Sequence, residues 1–235
     1  MKFIFAKTLA GAATVAVLAA GTASATSVDL SYAGSVSGFR TVTIQEAPVI
    51  PVANPVNAGG FHMTDTSGTL GTFIAWCVDL TSFTTHGNFE FTITETPFSN
   101  SYGLNTNERQ RVQTYFDANY SETLANDRDS SAAFQVGLWE SLYDDDFSLT
   151  DNTAATDEFR ANSSAAVNGL AAGFLAAAQG YGGGQKWDLT FLENNAGNKQ
   201  NLITVSAVPV PAAGLLLIGG LAGLGAVGAR RRRKA

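Results

Sequence analysis

The stretch FIAWCVDL (residues 73–80) is almost entirely apolar and contains the only cysteine of the chain. Its composition predicts a β-strand, in which successive side chains point to opposite faces. Cys77 and Asp79 would then share one face, and Trp76 would lie on the other. A neighbouring carboxylate raises the pKa of a thiol and makes it a poorer nucleophile. Asp79 is therefore expected either to be hydrogen-bonded elsewhere or to accept the thiol's proton.

Further strands are predicted on both sides of this run from the alternation of apolar and polar residues. They are expected at residues 28–46 with a break at 34–38, at 88–96, at 186–192 and at 202–208. Residues 47–60 contain three prolines. Proline cannot donate a backbone hydrogen bond, so this segment is expected to be an extended loop or an edge segment.

Three helices are predicted between the early and the late strands. The first covers residues 107–120 behind a capping pair, Asn105 and Glu108. The second begins at Ser130 or Ser131 and ends at Tyr143. The third runs from residue 156 to about 179, is stopped by the glycines from 180 onward, and has an apolar stripe formed by Phe159, Val167, Leu170 and Phe174. This order of elements predicts an α+β domain: a β-sandwich or barrel with a helical insertion.

The N-terminal residues 1–25 have the three parts of an export signal. Lys2 and Lys7 are followed by an apolar region at 9–20 and by Ala23-Ser24-Ala25, which fits a small-residue cleavage site. The apolar run is short for a membrane span. A cleaved signal peptide is therefore expected, with residues 26–207 as the mature extracytoplasmic domain.

The C-terminal residues 208–235 also have three parts. A proline-containing motif, Val208, Pro209, Val210, Pro211 and Ala212, precedes 17 apolar residues at 213–229 and a basic cluster at 230–234 that contains Arg230, Arg231, Arg232 and Arg233. As a helix the apolar part would reach roughly 26 Å, just short of a hydrocarbon core of about 30 Å. The positive-inside rule keeps the basic cluster in the cytoplasm, so residues 26–207 would lie on the outer side of the inner membrane.

This tail resembles the PEP-CTERM class of bacterial sorting signals, and VPVPA looks like its VPLPA variant. The resemblance covers the last 28 residues. It implies that an exosortase-type membrane protease removes the transmembrane anchor and passes the protein to the cell surface or to an exopolysaccharide matrix. A plain tail anchor or inner-membrane span is the alternative.

Charge and composition exclude several functions for residues 26–207. This segment keeps all 20 acidic residues but only 7 of the 14 lysines and arginines, for a net charge of about −13. Such a surface repels phosphate backbones, so a nucleic-acid partner is not expected. A single cysteine allows no internal disulfide, and with two histidines it cannot form the usual zinc sites. No metal and no cofactor are expected.

The predicted second helix carries an unusual polar residue. Gln135 and Trp139 are four residues apart and share one stripe with Leu142. A glutamine on a buried face lowers stability unless its amide is hydrogen-bonded or has reacted. Gln135 is therefore expected to have a specific partner elsewhere in the chain.

The motifs WCVD (76–79) and AFQVGLW (133–139) together resemble the paired signatures of bacterial surface thioester domains. The resemblance implies that the Cys77 sulfur and the Gln135 side-chain carbonyl join in an intramolecular thioester, with Asp79 and Trp139 as supporting residues. It also implies an adhesin that captures an amine on a neighbouring surface. Enzymatic activity beyond this self-catalysed step is not expected.

Several alternatives stay open at this point. Cys77 could be an inert buried residue in a structural or carbohydrate-binding matrix protein, a free reactive thiol, or half of an intermolecular disulfide. A nucleophile–base pair with His86 has little support, because no third group is indicated. Asp144 to Asp146 could bind calcium, but they lack the spacing of an EF-hand loop, and a solvated helix end is the favoured interpretation.

Overall fold

The structure is a computed structural model that describes residues 26–94, 104–150 and 159–207. The expected signal peptide at 1–25 and the sorting motif, transmembrane helix and arginine cluster within 208–235 lie outside these residues and stay predictions. Within the described ranges, no helix is both long enough and apolar enough to cross a bilayer.

The described chain contains nine strands and three α-helices. The strands are β1 (Thr26–Ser35), β2 (Arg40–Glu46), β3 (Val56–Ala58), β4 (Phe61–Asp65), β5 (Thr72–Cys77), β6 (Asn88–Thr94), β7 (Arg160–Asn162), β8 (Trp187–Asn194) and β9 (Leu202–Ala207). The helices are α1 (Thr106–Asn119), α2 (Arg128–Tyr143) and α3 (Ala165–Gln179), with a 3₁₀ turn at Leu124–Asn126. Because the helices lie between β6 and β8 in the chain, the predicted helical insertion into a β domain is confirmed.

Six strands close into a barrel in the order β1-β4-β5-β9-β8-β6, and every neighbouring pair is antiparallel. The remaining three form a small sheet in the order β3-β2-β7. In β1, the buried Val28 and Leu30 alternate with the exposed Ser27 and Asp29. This period of two is typical of a strand with one face on a core and one in water.

Strand β5 is covered on both faces near its end. Ala75, Trp76 and Cys77 are consecutive and all buried, so the strand has no solvent side there. The sequence predicted a strand that ends at Leu80, but the strand ends at Cys77. Beyond Cys77 the Val78 N–H donates to the carbonyl of Asn201, and the chain leaves the ladder with β9. The prediction that Cys77 and Asp79 share one face of a strand is therefore wrong, because Asp79 lies beyond the end of β5.

The first two helices follow their predicted signals closely. Asn105 and Glu108 form the expected capping box at the start of α1. Helix α2 begins at Arg128, two residues before the predicted start, because the Asp127 carboxylate accepts the N–H of Ser130 and caps the helix earlier. From Ser131 to Tyr143 every residue of α2 is buried. Helix α2 is thus the central helix of the layer that covers the barrel.

The third helix was predicted with too early a start. Residues around 160 form β7, which pairs with β2, and Ser164 caps α3 by accepting the N–H of Val167. Leu170, assigned to the buried stripe, is 38% exposed. The buried face of α3 instead carries Val167, Ala171, Leu175 and Ala178. The short strand was missed because β2 supplies its hydrogen-bond partners from more than 100 residues away.

Strand β4 was not predicted, although it has an alternating pattern. Its Phe61 and Met63 are buried and His62 between them is exposed. Asp65 continues the buried side, because its carboxylate accepts the N–H groups of Ser67 and Leu70 in the following turn. Because one of the buried positions is an aspartate, the alternating pattern is missed when only apolar residues are considered.

Candidate functional site

Cys77 and Gln135 meet where α2 crosses the end of β5. The Cys77 N–H donates to Oε1 of Gln135 at 2.9 Å, and Nε2 of Gln135 donates to the Cys77 carbonyl at 2.8 Å. Cys77 is 1% exposed and Gln135 is fully buried. The structure therefore brings together two residues that are 58 positions apart and that the two sequence motifs paired.

The strand pairing explains why a polar amide is stable at this point. Strand β4 pairs with β5 as far as the partners Phe61 and Ala75. On the other side of β5, Cys77 is still opposite Leu202 of β9. The Cys77 N–H and C=O would be buried without partners once β4 has ended. The Gln135 amide offers one donor and one acceptor, as a peptide group does, and takes the place of the missing strand.

The Cys77 thiol is held by the backbone of Asp79. Sγ–H donates to the Asp79 carbonyl at 2.8 Å, and the Asp79 N–H donates to Sγ at 3.3 Å. The Asp79 carboxylate faces another partner, because its Oδ1 accepts the N–H and the hydroxyl of Thr81 at 2.7 and 2.6 Å. Of the two roles expected for Asp79, the structure shows the carboxylate hydrogen-bonded elsewhere. Thr81 was not anticipated, although an aspartate two residues before a threonine is a local turn signal.

Burial raises the pKa of the Cys77 thiol well above its usual range, and the negative charge of Asp79 raises it further. The Asp79 N–H and the indole of Trp139 lower this pKa by smaller amounts. The thiol is therefore neutral at physiological pH. Any reaction of this sulfur as a nucleophile therefore requires that its proton be removed first.

Two buried tryptophans lie beside the pair. Trp76 precedes Cys77 and packs on the ring of Phe134 with centroids 4.6 Å apart. Trp139 lies one helical turn after Gln135 and is 1% exposed. Both indole N–H groups are buried without an ordinary hydrogen-bond partner in the described part of the chain. Trp139 lies close enough to the thiol to affect its pKa, and Trp76 adds a second buried aromatic ring next to Cys77 in the chain.

A cleft of about 280 Å³ opens next to Trp139. Five aromatic side chains line it: Tyr32, Phe39, Phe61, Phe83 and Trp139. Gln200 also lines it, and Nε2 of Gln200 donates to the same Asp79 carbonyl that holds the thiol, at 3.3 Å. The cleft therefore reaches the residues that surround Cys77. Gln200 carries no sequence signal for this position, because it comes from the turn between β8 and β9.

The position of His86 does not fit a catalytic base for Cys77. Its ring lies against Tyr32, with centroids 5.1 Å apart. No hydrogen bond joins it to Cys77 among the described residues. The nucleophile–base pair considered from the sequence thus has no geometric support.

No protein-family model and no curated protein matches this chain. Among solved structures, the N-terminal domain of the Streptococcus pyogenes pilus tip adhesin Cpa is similar, with a TM-score of 0.44 and 13% sequence identity. The similarity covers 75% of this chain and 97% of that one. A likeness of this size identifies neither a family nor a function for this chain.

Proposed function

We propose that residues 26–207 form an extracellular adhesion domain in which Cys77 and Gln135 join in an internal thioester that captures an amine. The observation that carries this proposal is the pair of hydrogen bonds between the Gln135 amide and the Cys77 backbone inside the core. The Gln135 amide is thus held against the backbone of the residue that carries the thiol, which supports an acyl transfer between them.

The proposed reaction needs no further reagent. The sulfur of Cys77 attacks the side-chain carbonyl carbon of Gln135, the carbon–nitrogen bond breaks, and the thiol proton leaves with the amide nitrogen as ammonia. The Cys77 N–H already donates to Oε1, so it can stabilise the negative charge that develops on this oxygen. The hydrogen bonds from Sγ to the Asp79 carbonyl and from Nε2 to the Cys77 carbonyl are given up.

The thioester would then act as a stored electrophile. A lysine-like amine attacks the same carbonyl carbon, an amide forms with the target, and Cys77 returns to a thiol. The burial of the site and the two tryptophans would slow the competing attack by water. The cleft beside Trp139 is the proposed route for the amine, and the acidic surface of the domain favours cationic targets.

Delivery to the surface rests on the sequence of the two ends. We infer export through the signal at 1–25 and processing of the tail at 208–235 by an exosortase-type protease. The domain would be held at the inner membrane by the tail helix before processing, and at the cell surface or in an exopolysaccharide matrix afterwards. Secretion places the thioester where amine-bearing targets occur.

A second candidate is a non-catalytic structural or carbohydrate-binding matrix protein. It is favoured by the hydrogen bonds that the Cys77 thiol and the Gln135 amide each make to the backbone. In this case Gln135 only completes the pairing of β5, Cys77 is an inert core residue, and the aromatic cleft is the binding site.

Intact-mass measurement of the exported protein separates the two candidates. A thioester predicts a mass about 17 Da below that of the sequence, because ammonia is lost. Methylamine should add to this species and release one free thiol. Cys77→Ala and Gln135→Ala serve as controls and should each show the full mass. A wild-type protein of full mass, with one thiol that is alkylated on denaturation, would refute the thioester and support the structural candidate.

A further inference from the structure

Three acidic side chains converge at the end of α2, away from the Cys77 site. Glu140 lies in the last turn, Asp144 is the C-terminal cap, and Asp146 follows in the loop. One carboxylate oxygen from each lies within 4.8 Å of the other two. The sequence favoured a solvated helix end here, but Glu140 is fully buried and Asp144 is 5% exposed. That expectation concerned Asp144 to Asp146, and it is wrong for Asp144.

An independent observation points to a ligand in this cluster. Oε1 of Glu140 accepts the N–H of Ser148 at 3.0 Å, but its Oε2 is buried and no N–H or hydroxyl donor reaches it among the described residues. The side chain that approaches Glu140 here is another acid, Asp146. A buried carboxylate oxygen without a partner is costly. We propose that Glu140, Asp144 and Asp146 form a binding site for a divalent cation, and that this cation is Ca²⁺.

The charges of the site favour a cation. Three carboxyl groups lie within 4.8 Å of one another here, and those of Glu140 and Asp144 are buried, so little water screens their mutual repulsion. The C-terminal end of α2 adds the negative end of the helix dipole at the same place. A divalent ion can neutralise these neighbouring carboxylates together.

The two aspartates are held in position by backbone N–H groups. Oδ1 of Asp144 accepts the N–H of Asp145 at 2.6 Å, and its Oδ2 accepts the N–H of Phe159 at 3.1 Å. Oδ1 of Asp146 accepts the N–H of Ser148 at 2.6 Å. Each carboxylate keeps lone pairs that these bonds do not use. The oxygens are therefore arranged before a cation arrives, which reduces the entropy lost on binding.

The ligand set favours calcium among the common ions. Ca²⁺ takes six to eight oxygen ligands at 2.3–2.6 Å in a flexible geometry. The three carboxylate oxygens all lie within 4.8 Å of one another, so one such ion can contact all of them. Zn²⁺ prefers nitrogen and sulfur ligands, and Mg²⁺ requires a tighter octahedral shell at 2.0–2.1 Å. Water molecules would complete the six to eight ligands of a calcium ion.

A bound ion would stabilise the segment that carries the candidate functional residues. Glu140 directly follows Trp139 and lies five residues after Gln135 on the same helix. Through Asp144, the site also connects the end of α2 to Phe159 at the start of the next described segment. Calcium binding is therefore expected to raise the melting temperature. This expectation holds whether or not the thioester forms, so the two proposals fail independently.

Calorimetric titration of the chelator-treated, full-length folded protein with CaCl₂ and with MgCl₂ tests the site. One calcium per chain is expected, with a dissociation constant of about 10⁻⁴ to 10⁻³ M, as in extracellular modules, and weaker binding of magnesium. Thermal unfolding in the same solutions should show a higher melting temperature with calcium. Absence of binding heat and of any thermal shift at about 10 mM calcium would overturn the proposal.

Isosteric variants assign the binding to these side chains. Glu140→Gln is expected to weaken calcium binding by about tenfold or more, since it removes one charged ligand. Asp145→Asn is the matched control, because Asp145 is exposed and carries the same charge next to the cluster. It should leave the affinity within about twofold. If Glu140→Gln does not fold, Asp146→Asn replaces it. The site would be refuted if the Glu140 or Asp146 variant bound calcium as tightly as wild type. It would also be refuted if Asp145→Asn lost as much calcium affinity as they do, because the binding would then reflect diffuse attraction by surface charge.

Discussion

The Gln135 amide accepts a hydrogen bond from the backbone N–H of Cys77 and donates one to the carbonyl of the same residue. This single side chain completes the pairing of β5 where β4 ends, and it also presents a carbonyl carbon to the residue that holds the thiol. Structural and chemical roles compete, because thioester formation removes the amide nitrogen and with it the hydrogen bond to the Cys77 carbonyl. Thioester formation would replace this buried hydrogen bond with a covalent bond between Cys77 and Gln135.

Replacing Gln135 with glutamate tests its structural role. In a Cys77→Ala background, where no thioester can form, Gln135→Glu should lower the free energy of unfolding by about 2–4 kcal/mol, because an ionised carboxylate cannot donate to the residue 77 carbonyl and is fully buried. Urea unfolding at neutral pH measures the change. Gln110→Glu on the exposed side of α1 is the control and should change stability by less than about 0.5 kcal/mol. Equal stability of the two variants would contradict the pairing role of Gln135.

Gly137 of α2 makes room for the Tyr115 side chain of α1. A Cβ atom at this position would lie 2.3 Å from the hydroxyl oxygen of Tyr115, which donates to the carbonyl of Phe134. Gly137→Ala is expected to destabilise the domain by about 1–3 kcal/mol, because the helices must separate. Gly173→Ala in α3 is the matched control, since nothing lies within 4 Å of its new Cβ. There the better helix propensity of alanine should stabilise by about 0.5–1 kcal/mol, and a similar gain at Gly137 would refute the close contact.

The raised pKa of Cys77 predicts a pH dependence of stability for protein with a free thiol. The folded state keeps the thiol protonated, whereas the unfolded thiol ionises near pH 8.5. Its contribution to stability is therefore complete below about pH 8.5 and declines above it, by up to about 1.4 kcal/mol per pH unit. The measurement compares denaturant midpoints of Gln135→Ala, whose thiol stays free, with the double variant that also carries Cys77→Ala. Parallel pH profiles of the two proteins would show that the thiol ionises as easily when folded.

Phe83 at the rim of the aromatic cleft should affect large amine targets selectively. Its side chain is 53% exposed and lines the cleft. Phe83→Ala is expected to slow thioester opening by a lysine-containing protein by about fivefold, the equivalent of roughly 1 kcal/mol of lost contact, and to leave opening by methylamine unchanged. Ile50→Ala is the control, because Ile50 is 89% exposed and lies outside the cleft lining. Equal rates for Phe83→Ala and wild type with the protein target would place the amine's route elsewhere.

Local signals made several elements predictable. The capping box of Asn105 and Glu108 defines the start of α1 through contacts within four residues, and Gly180 ends α3 as expected. The alternation in β6 and the apolar run of β5 were also visible. Such features depend on neighbouring residues, so a single sequence contains the information that specifies them.

Elements stabilised by distant partners were predicted poorly. Strand β7 has three residues and exists because β2 offers hydrogen bonds to it across the chain, so the pattern there was assigned to a helix. Strand β4 was missed because one of its buried positions is Asp65. The carboxylate of this residue is buried only because it accepts N–H groups of the following turn. Helix α2 has no exposed face from Ser131 to Tyr143, and its exact start was set by Asp127 and not by the serines that follow.

By itself, the sequence determined the class of the domain, most of its strands and helices, and the pairing of two motifs around Cys77 and Gln135 as a hypothesis. Only the tertiary structure decided that the amide of Gln135 lies on the backbone of Cys77, that the Asp79 carboxylate turns to Thr81, and that Glu140 joins two aspartates in a buried cluster. The physical reason is range: propensity and capping act over a few residues. Side-chain partners 58 positions apart are chosen by strand register and helix packing, which exist only once the whole core has formed.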